Sequence, residues 1–220
     1  MLTAQLINPN IPQLGLDDSI IKAQQLISDY KLTHLPVVED KKFMGLLSEE
    51  DLLDLDDEKA PLKNIQHLFQ FHFIPDDIHF LNAVNFCNQH ETNIVPVMSK
   101  DAEFLGVISI DNLLKILGEF AGSHEIGGII LLEIPRIQFA ISEISRIVES
   151  NNCTILHLNT TTNPVTGLMS VTLHLDKREI ESVVATFERY EYQVTHHFGV
   201  RQFESDAETN FRNLMKYLGL

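Results

Sequence analysis

The sequence predicts a mixed α+β and α/β chain: two small repeats, then a βαββαβ domain, then a terminal helix. Three observations carry this. Two stretches of similar pattern recur about 60 positions apart, with Pro36 answered by Pro96, Gly45 by Gly106 and Ser48 by Ser109. Beyond the glycine-bearing stretch 118–128, the apolar pattern changes to strand-helix-strand-strand-helix-strand. Near the end, Phe211, Leu214, Met215 and Leu218 fall at i, i+3, i+4 and i+7, one stripe of a helix. A repeat at such a period means a supersecondary unit used twice, so it sets the frame for the rest.

Residues 11–14 are expected to form a short strand, with Pro9 and Pro12 barring a helix. Asp17, Asp18 and Ser19 open a helix that carries Ile20, Ala23 and Ile27 on one side. Two nearly continuous apolar strands, 35–38 and 43–47, meet at the turn 39–42, and Ser48 starts a helix over 49–55. The second copy repeats this order. Phe69, Phe71 and Phe73 alternate as a strand, Pro75-Asp76-Asp77 opens a helix, strands cover 95–98 and 104–108, and a helix covers 110–120. In the third segment, strands are expected at 129–134, 153–158, 168–175 and 193–198. The helices between them cover 139–150 and the stretch to Tyr190, the second opened by a capping box at Asp176 and Glu179. That element order is the ferredoxin-like split βαβ arrangement.

Composition excludes several classes of partner. The 220 residues hold 31 acidic and 16 basic side chains, a formal charge of −15. Such a surface repels nucleic acid and anionic lipid, so neither nucleic acid nor a membrane is expected as a partner. The first residues lack a basic region and an apolar run, so a secretory signal is not expected and a cytoplasmic location is. Cys87 and Cys153 have neither the number nor the spacing of a disulfide framework or a zinc site. The ten histidines, among them His67, His72, His79, His124 and the pair His196-His197, form no HExxH pattern. Cys87 and His90 sit one helical turn apart without an orienting third group. No P-loop, no G-x-G-x-x-G and no G-x-S-x-G occurs, so no enzyme and no metal are expected.

The chemistry-bearing element is Gly45-x-x-Ser48-x-x-Asp51, repeated as Gly106-x-x-Ser109-x-x-Asn112. Ser-x-x-Asp before an apolar helix is a capping box and needs no ligand. The same position also presents free N–H groups and the positive end of a helix to an anion. With the Pro-Val strand before it, this element resembles a CBS domain, and the chain resembles a tandem CBS pair (a Bateman module) over residues 1–57 and 58–122. The resemblance implies that Ser48 and Asp51, with Gly45, Pro36 and His34 beside them, line a cleft for an adenosine-type ligand. The acidic residue would hold the ribose hydroxyls. Ser109, Asn112 and Gly106 form the counterpart, weaker because Ile94 stands where the first copy has His34 and an amide replaces the carboxylate. The expected ligands are AMP, ADP, ATP or S-adenosylmethionine, with a monophosphate or an uncharged or cationic adenosyl group preferred on so acidic a protein.

After a linker at 123–128, the stretch Leu132-Glu-Ile-Pro-Arg136 leading into an isoleucine-spaced helix resembles an ACT domain over residues 129–200. Residues 135–140 lack the glycine through which ACT domains commonly bind amino acids, so a dimerisation module stands beside the ligand-binding reading. Residues 201–220 are expected to hold the terminal amphipathic helix. The whole order is similar to CBS-CBS-ACT proteins of the acetoin utilisation (AcuB) type. It implies a non-catalytic sensor that binds an adenosyl ligand and signals through a homodimer to an unknown regulated protein. The alternative is a dimerisation scaffold whose CBS sites are vestigial.

Overall fold

The computed structural model describes residues 1–53, 55 and 57–200. The chain divides into two compact units, 1–118 and a second beginning at Glu119.

In the first unit each repeat is built alike. Helix α1 (Ile20–Tyr30), capped by the Ser19 hydroxyl, is followed by β1 (His34–Glu39), β2 (Lys42–Ser48) and α2 (Glu49–Leu53). The second copy is β3 (Ile74–Pro75), α3 (Leu81–His90), β4 (Ile94–Met98), β5 (Phe104–Ser109) and α4 (Ile110–Phe120). The copies correspond in their helix ends and hairpin register. α1 and α3 both end on a left-handed residue, Lys31 at φ 53° and Glu91 at φ 50°. Both hairpins shift register at the same place, after Val37 and after Val97, and pair that valine with Gly45 or Gly106. Leu14 bridges Val37 in parallel as Ile74 bridges Val97. At the join, Thr33 and Asn93 lock together: Asn93 Oδ1 accepts from Thr33 N (2.9 Å) and Oγ1 (3.1 Å), and Thr33 Oγ1 accepts from Asn93 N (3.1 Å). One core runs through both repeats, from Leu6, Leu14 and Ile20 to Val97, Ile108 and Leu113. Sharing a core solves the burial problem of a 60-residue repeat standing alone.

The chain exchanges its leading segments. Residues 1–8 bond to the second repeat: Thr3 N donates to Ile78 O (3.0 Å), Ala4 N to Asp76 O (2.9 Å) and Asn8 N to Val107 O (2.8 Å). Residues 58–70 bond to the first: Ile20 N donates to Ala60 O (3.1 Å), Lys63 N to Leu16 O (2.9 Å), and Leu46 and Gln70 exchange two 2.8 Å bonds. We call residues 7–11 and 69–73 the straps. Each passes over a glycine: a Cβ on Gly106 would meet Ile7 Cγ2 at 2.6 Å and one on Gly45 would meet Phe69 Cβ at 2.8 Å.

These exchanges displace several expected elements. The strand expected at 11–14 shrinks to the single bridge at Leu14. The stretch with alternating Phe69, Phe71 and Phe73 makes one bridge, Gln70 to Leu46, and the rings of Phe71 and Phe73 pack on Phe43 instead of pairing as a strand. The helix expected to open at Pro75 begins at Leu81, since the carbonyls of Asp76 and Ile78 are taken by Ala4 and Thr3.

The second unit contains β6 (Gly128–Pro135), α5 (Ile141–Ser150), β7 (Ile155–Thr162), β8 (Leu168–Leu175), α6 (Glu181–Arg189) and β9 (Gln193–Phe198). Its antiparallel sheet runs β7-β8-β6-β9, the strand order of a split βαβ. Ile130, Leu132, Ile134, Val171 and Leu173 share a core with Ile144, Ile147, Val183 and Phe187 of the two helices. The capping box expected at Asp176 is absent, for the Asp176 carboxylate accepts from Thr154 N (2.7 Å) and α6 starts at Glu181. The expected terminal helix lies outside the described residues.

Candidate functional site

The register carries Ser48 and Ser109 to the ends of β2 and β5, where each turns the chain into a helix. Ser48 Oγ accepts from Asp51 N (3.1 Å) and donates to Asp51 Oδ2 (2.6 Å). Ser109 Oγ accepts from Asn112 N at 3.4 Å. Both serines therefore cap their helices, as the bland reading of the motif requires. Beyond the cap the repeats part. Asp51 keeps its carboxylate on its own serine, whereas Asn112 Nδ2 donates to Leu6 O (2.8 Å) and fastens the leading segment to α4.

His34 lies opposite Ser48 in the register and is buried, 8% exposed, with Nδ1 3.0 Å from Thr33 Oγ1. Burial lowers its proton affinity; Asp51 and Glu50 act the other way, and His90 adds to the lowering. It is thus held neutral, a hydrogen-bonding group rather than a cation for phosphate. Gly45 and Gly106 take φ +143° and +137°, closed to other residues, and leave room for the straps. Pro36 sits in β1 opposite Leu46.

Two pockets lie along the strap 7–11. The first, ≈740 Å³, is walled by Ile7, Asn8, Pro9 and Ile11, by Tyr30 and Lys31 at the end of α1, by Asn93, and by Ser109, Asp111, Asn112 and Lys115 of the second repeat. Its volume suits a nucleoside-sized ligand. The second, ≈670 Å³, shares the strap and adds Pro36, Val38, Lys41, Phe104 and Gly106. Of the residues expected from sequence, Ser109, Asn112, Gly106 and Pro36 line these pockets. Ser48, Asp51 and His34 come together on the first repeat. Lys31, Lys115 and the strap were not foreseen. The one signal for the strap was the matching pattern Ile-Asn-x-Asn-Ile at 7–11 and Phe-Gln-x-His-Phe at 69–73. Among the described residues no three His, Cys, Asp or Glu side chains converge as a metal site. Nor is any described helix long and apolar enough to cross a membrane.

This geometry, two like α+β units joined about a shared core with a capped helix start in each, defines a paired small-domain module. Residues 4–58 match the family model of the CBS domain, so the first repeat is a CBS domain, and the second reproduces its bonds. The inosine-5'-monophosphate dehydrogenase of Staphylococcus saprophyticus is 26% identical over 110 residues, 49% of this chain. The chain spans only 22% of that relative's length. Similar solved structures include a CBS domain pair/ACT domain protein from Thermotoga maritima, 20% identical, covering 55% of this chain and 98% of that one at a TM-score of 0.49. A putative acetoin utilization protein (AcuB) from Vibrio cholerae is 19% identical, covering 57% and 96%, with a TM-score of 0.48.

Proposed function

We propose that the chain is a non-catalytic sensor that takes an adenosine-type ligand into the pocket between the strap 7–11 and the start of α4. The observation that carries this is the convergence, on one ≈740 Å³ pocket, of Ser109 and Asn112 with the cations Lys31 and Lys115. Lys31 and Lys115 attract a phosphate, and the Asn112 side-chain oxygen is an acceptor for a ribose hydroxyl. Ile7 and Ile11 supply apolar surface for a base. This reverses the ranking read from the sequence, since the open pocket belongs to the second motif and the carboxylate of the first is held by Ser48. Two lysines against a charge of −15 favour a monophosphate or an adenosyl group over a triphosphate. The ligand acts by favouring one arrangement of a homodimer, to the extent that it binds the two arrangements unequally. The ACT-like unit contributes a dimerising sheet.

A thermal-shift titration with AMP, ADP, ATP and S-adenosylmethionine tests the reading. A ligand at 100 times its dissociation constant adds about 2.7 kcal/mol, or roughly 5–10 °C for a chain of this size. The shift is expected with AMP and lost in the Lys31→Glu/Lys115→Glu chain. No shift with any ligand supports the scaffold instead, and metal-free ATP binding more tightly than AMP overturns the stated preference.

A further inference from the structure

The straps run past equivalent places, and what stands at each place differs. Asn8 bonds Val107 as Gln70 bonds Leu46, so Pro9, Asn10 and Ile11 correspond to Phe71, His72 and Phe73. Likewise Tyr30, last residue of α1, corresponds to His90, last residue of α3. In the second-repeat pocket the strap and Tyr30 are separate walls. Beside the first motif the imidazoles of His72 and His90, the latter from α3 of the second copy, stack across that gap, centroids 4.2 Å apart and planes at 27°, with Phe86 4.4 Å from His90. The first motif itself, Ser48 and Asp51 with His34, lies on the first repeat, and His34 feels His90 electrostatically.

We propose that the stacked His72 and His90 rings are a proton-operated gate over the first-repeat site, closed while both are neutral and opened when protonation makes them repel. Once open, the site takes a phosphorylated nucleoside, a point that rests on the function proposed above. The groups acting on the stack come from every neighbouring element. Burial and the neighbouring His72 both lower the proton affinity of His90. His34 on β1 is held down by burial and by His90, against the opposing pull of Asp51 and Glu50 on α2. His34 and His90, both lowered, are therefore neutral at neutral pH and gain charge in acid. That charge is what the first site otherwise lacks, for Glu91 and Asp54 occupy the sequence positions of Lys31 and Lys115. The rings do not converge as metal ligands among the described residues, which leaves the proton as the switching ion.

The test has two arms on the full chain. Without ligand, the imidazole C2 protons of His72 and His90 are followed by NMR from about pH 8 to 5. His90 is expected to titrate below the ordinary histidine value, the two rings to lose their mutual ring-current shift as it does so, and His72→Ala to raise the His90 midpoint toward that value. A His90 midpoint at the ordinary value, or one unmoved by His72→Ala, overturns the gate. In the second arm, calorimetric AMP stoichiometry is expected to rise from one at about pH 7.5 to two at about pH 5.5. A stoichiometry of one at both pH values overturns the proposal. If AMP fails to bind at any pH while the rings part together, the sensor reading falls and the gate stands.

Discussion

The two straps make the most instructive comparison in the molecule. Residues 7–11 and 69–73 are each bridged antiparallel, to β5 and to β2, and cross the same kind of left-handed glycine. Their side chains differ in size. Pro9, Asn10 and Ile11 leave two pockets beside the second motif. Phe71, His72 and Phe73 stand at the matching positions: Phe71 and Phe73 lie 5.6 and 6.5 Å from Phe43, and His72 lies on His90. Phe43 in turn stacks on its own counterpart Phe104, at 5.6 Å and 9°. Backbone symmetry thus makes two like places, and the side chains at three strap positions set them apart.

Substitutions at paired positions sharpen this comparison. The largest effects are expected at the crossings. Gly45→Ala drives a Cβ into Phe69 Cβ at 2.8 Å, with Gln70 O at 3.2 Å and Phe69 C at 3.3 Å, while Gly106→Ala meets only Ile7 Cγ2. Positive φ and crowding together cost about 2–4 kcal/mol. Urea unfolding should show Gly45→Ala as the more damaging of the two. Next comes the join. Asn93→Ala strands Thr33 N and Lys31 O, the acceptor of Asn93 Nδ2, and is expected to cost about 2 kcal/mol. Thr33→Ala leaves Asn93 N without its acceptor and costs about 1 kcal/mol. A larger loss for Thr33→Ala contradicts the assignment of the tie to the asparagine amide.

Much of the pair was legible in the sequence, because its boundaries are written in local chemistry. Pro36 and Pro96 fix the strands, Ser48 and Ser109 cap the helices, and the second hairpin and α4 fall where their apolar runs predict. The straps were not legible. Each holds its place through one bridge, Asn8 or Gln70, to a residue more than twenty positions distant, and no local pattern announces such a bond. Alternating phenylalanines read as a strand because period two is the strand signal, yet Phe71 and Phe73 remain 58% and 39% exposed and spend their rings on Phe43. The motif was legible as a cap and as a site at once. Only the partners of Asp51 and Asn112, Ser48 in one copy and Leu6 in the other, separate the two copies.

Those partners set a smaller pair of effects. Asn112→Ala releases Leu6 O and is expected to cost about 1 kcal/mol, read by thermal unfolding. Asp51→Ala removes only the acceptor of the Ser48 hydroxyl, keeps the Ser48 cap on the backbone, and is expected to cost less. Equal losses would mean that the tie to Leu6 does not hold the leading segment.

The smallest effect is that of pH. His34 has a lowered proton affinity in the folded chain, so the unfolded chain takes up the proton first. Its contribution is complete above the ordinary histidine value and is lost as pH falls through the folded one. The unfolding midpoint of the wild-type chain is expected to drop between about pH 7.5 and 5.5, and His34→Gln to flatten part of that drop. A midpoint that rises in acid contradicts the neutral, buried state of His34.

The most direct test of the open second site is to give it the closed strap. In a chain with Pro9→Phe, Asn10→His and Ile11→Phe, AMP binding is measured by calorimetry at about pH 7.5, beside the wild type. The rings are expected to fill both pockets and abolish binding, while the unfolding midpoint shows that the chain still folds. AMP affinity equal to that of the wild type would place the ligand elsewhere and contradict the account.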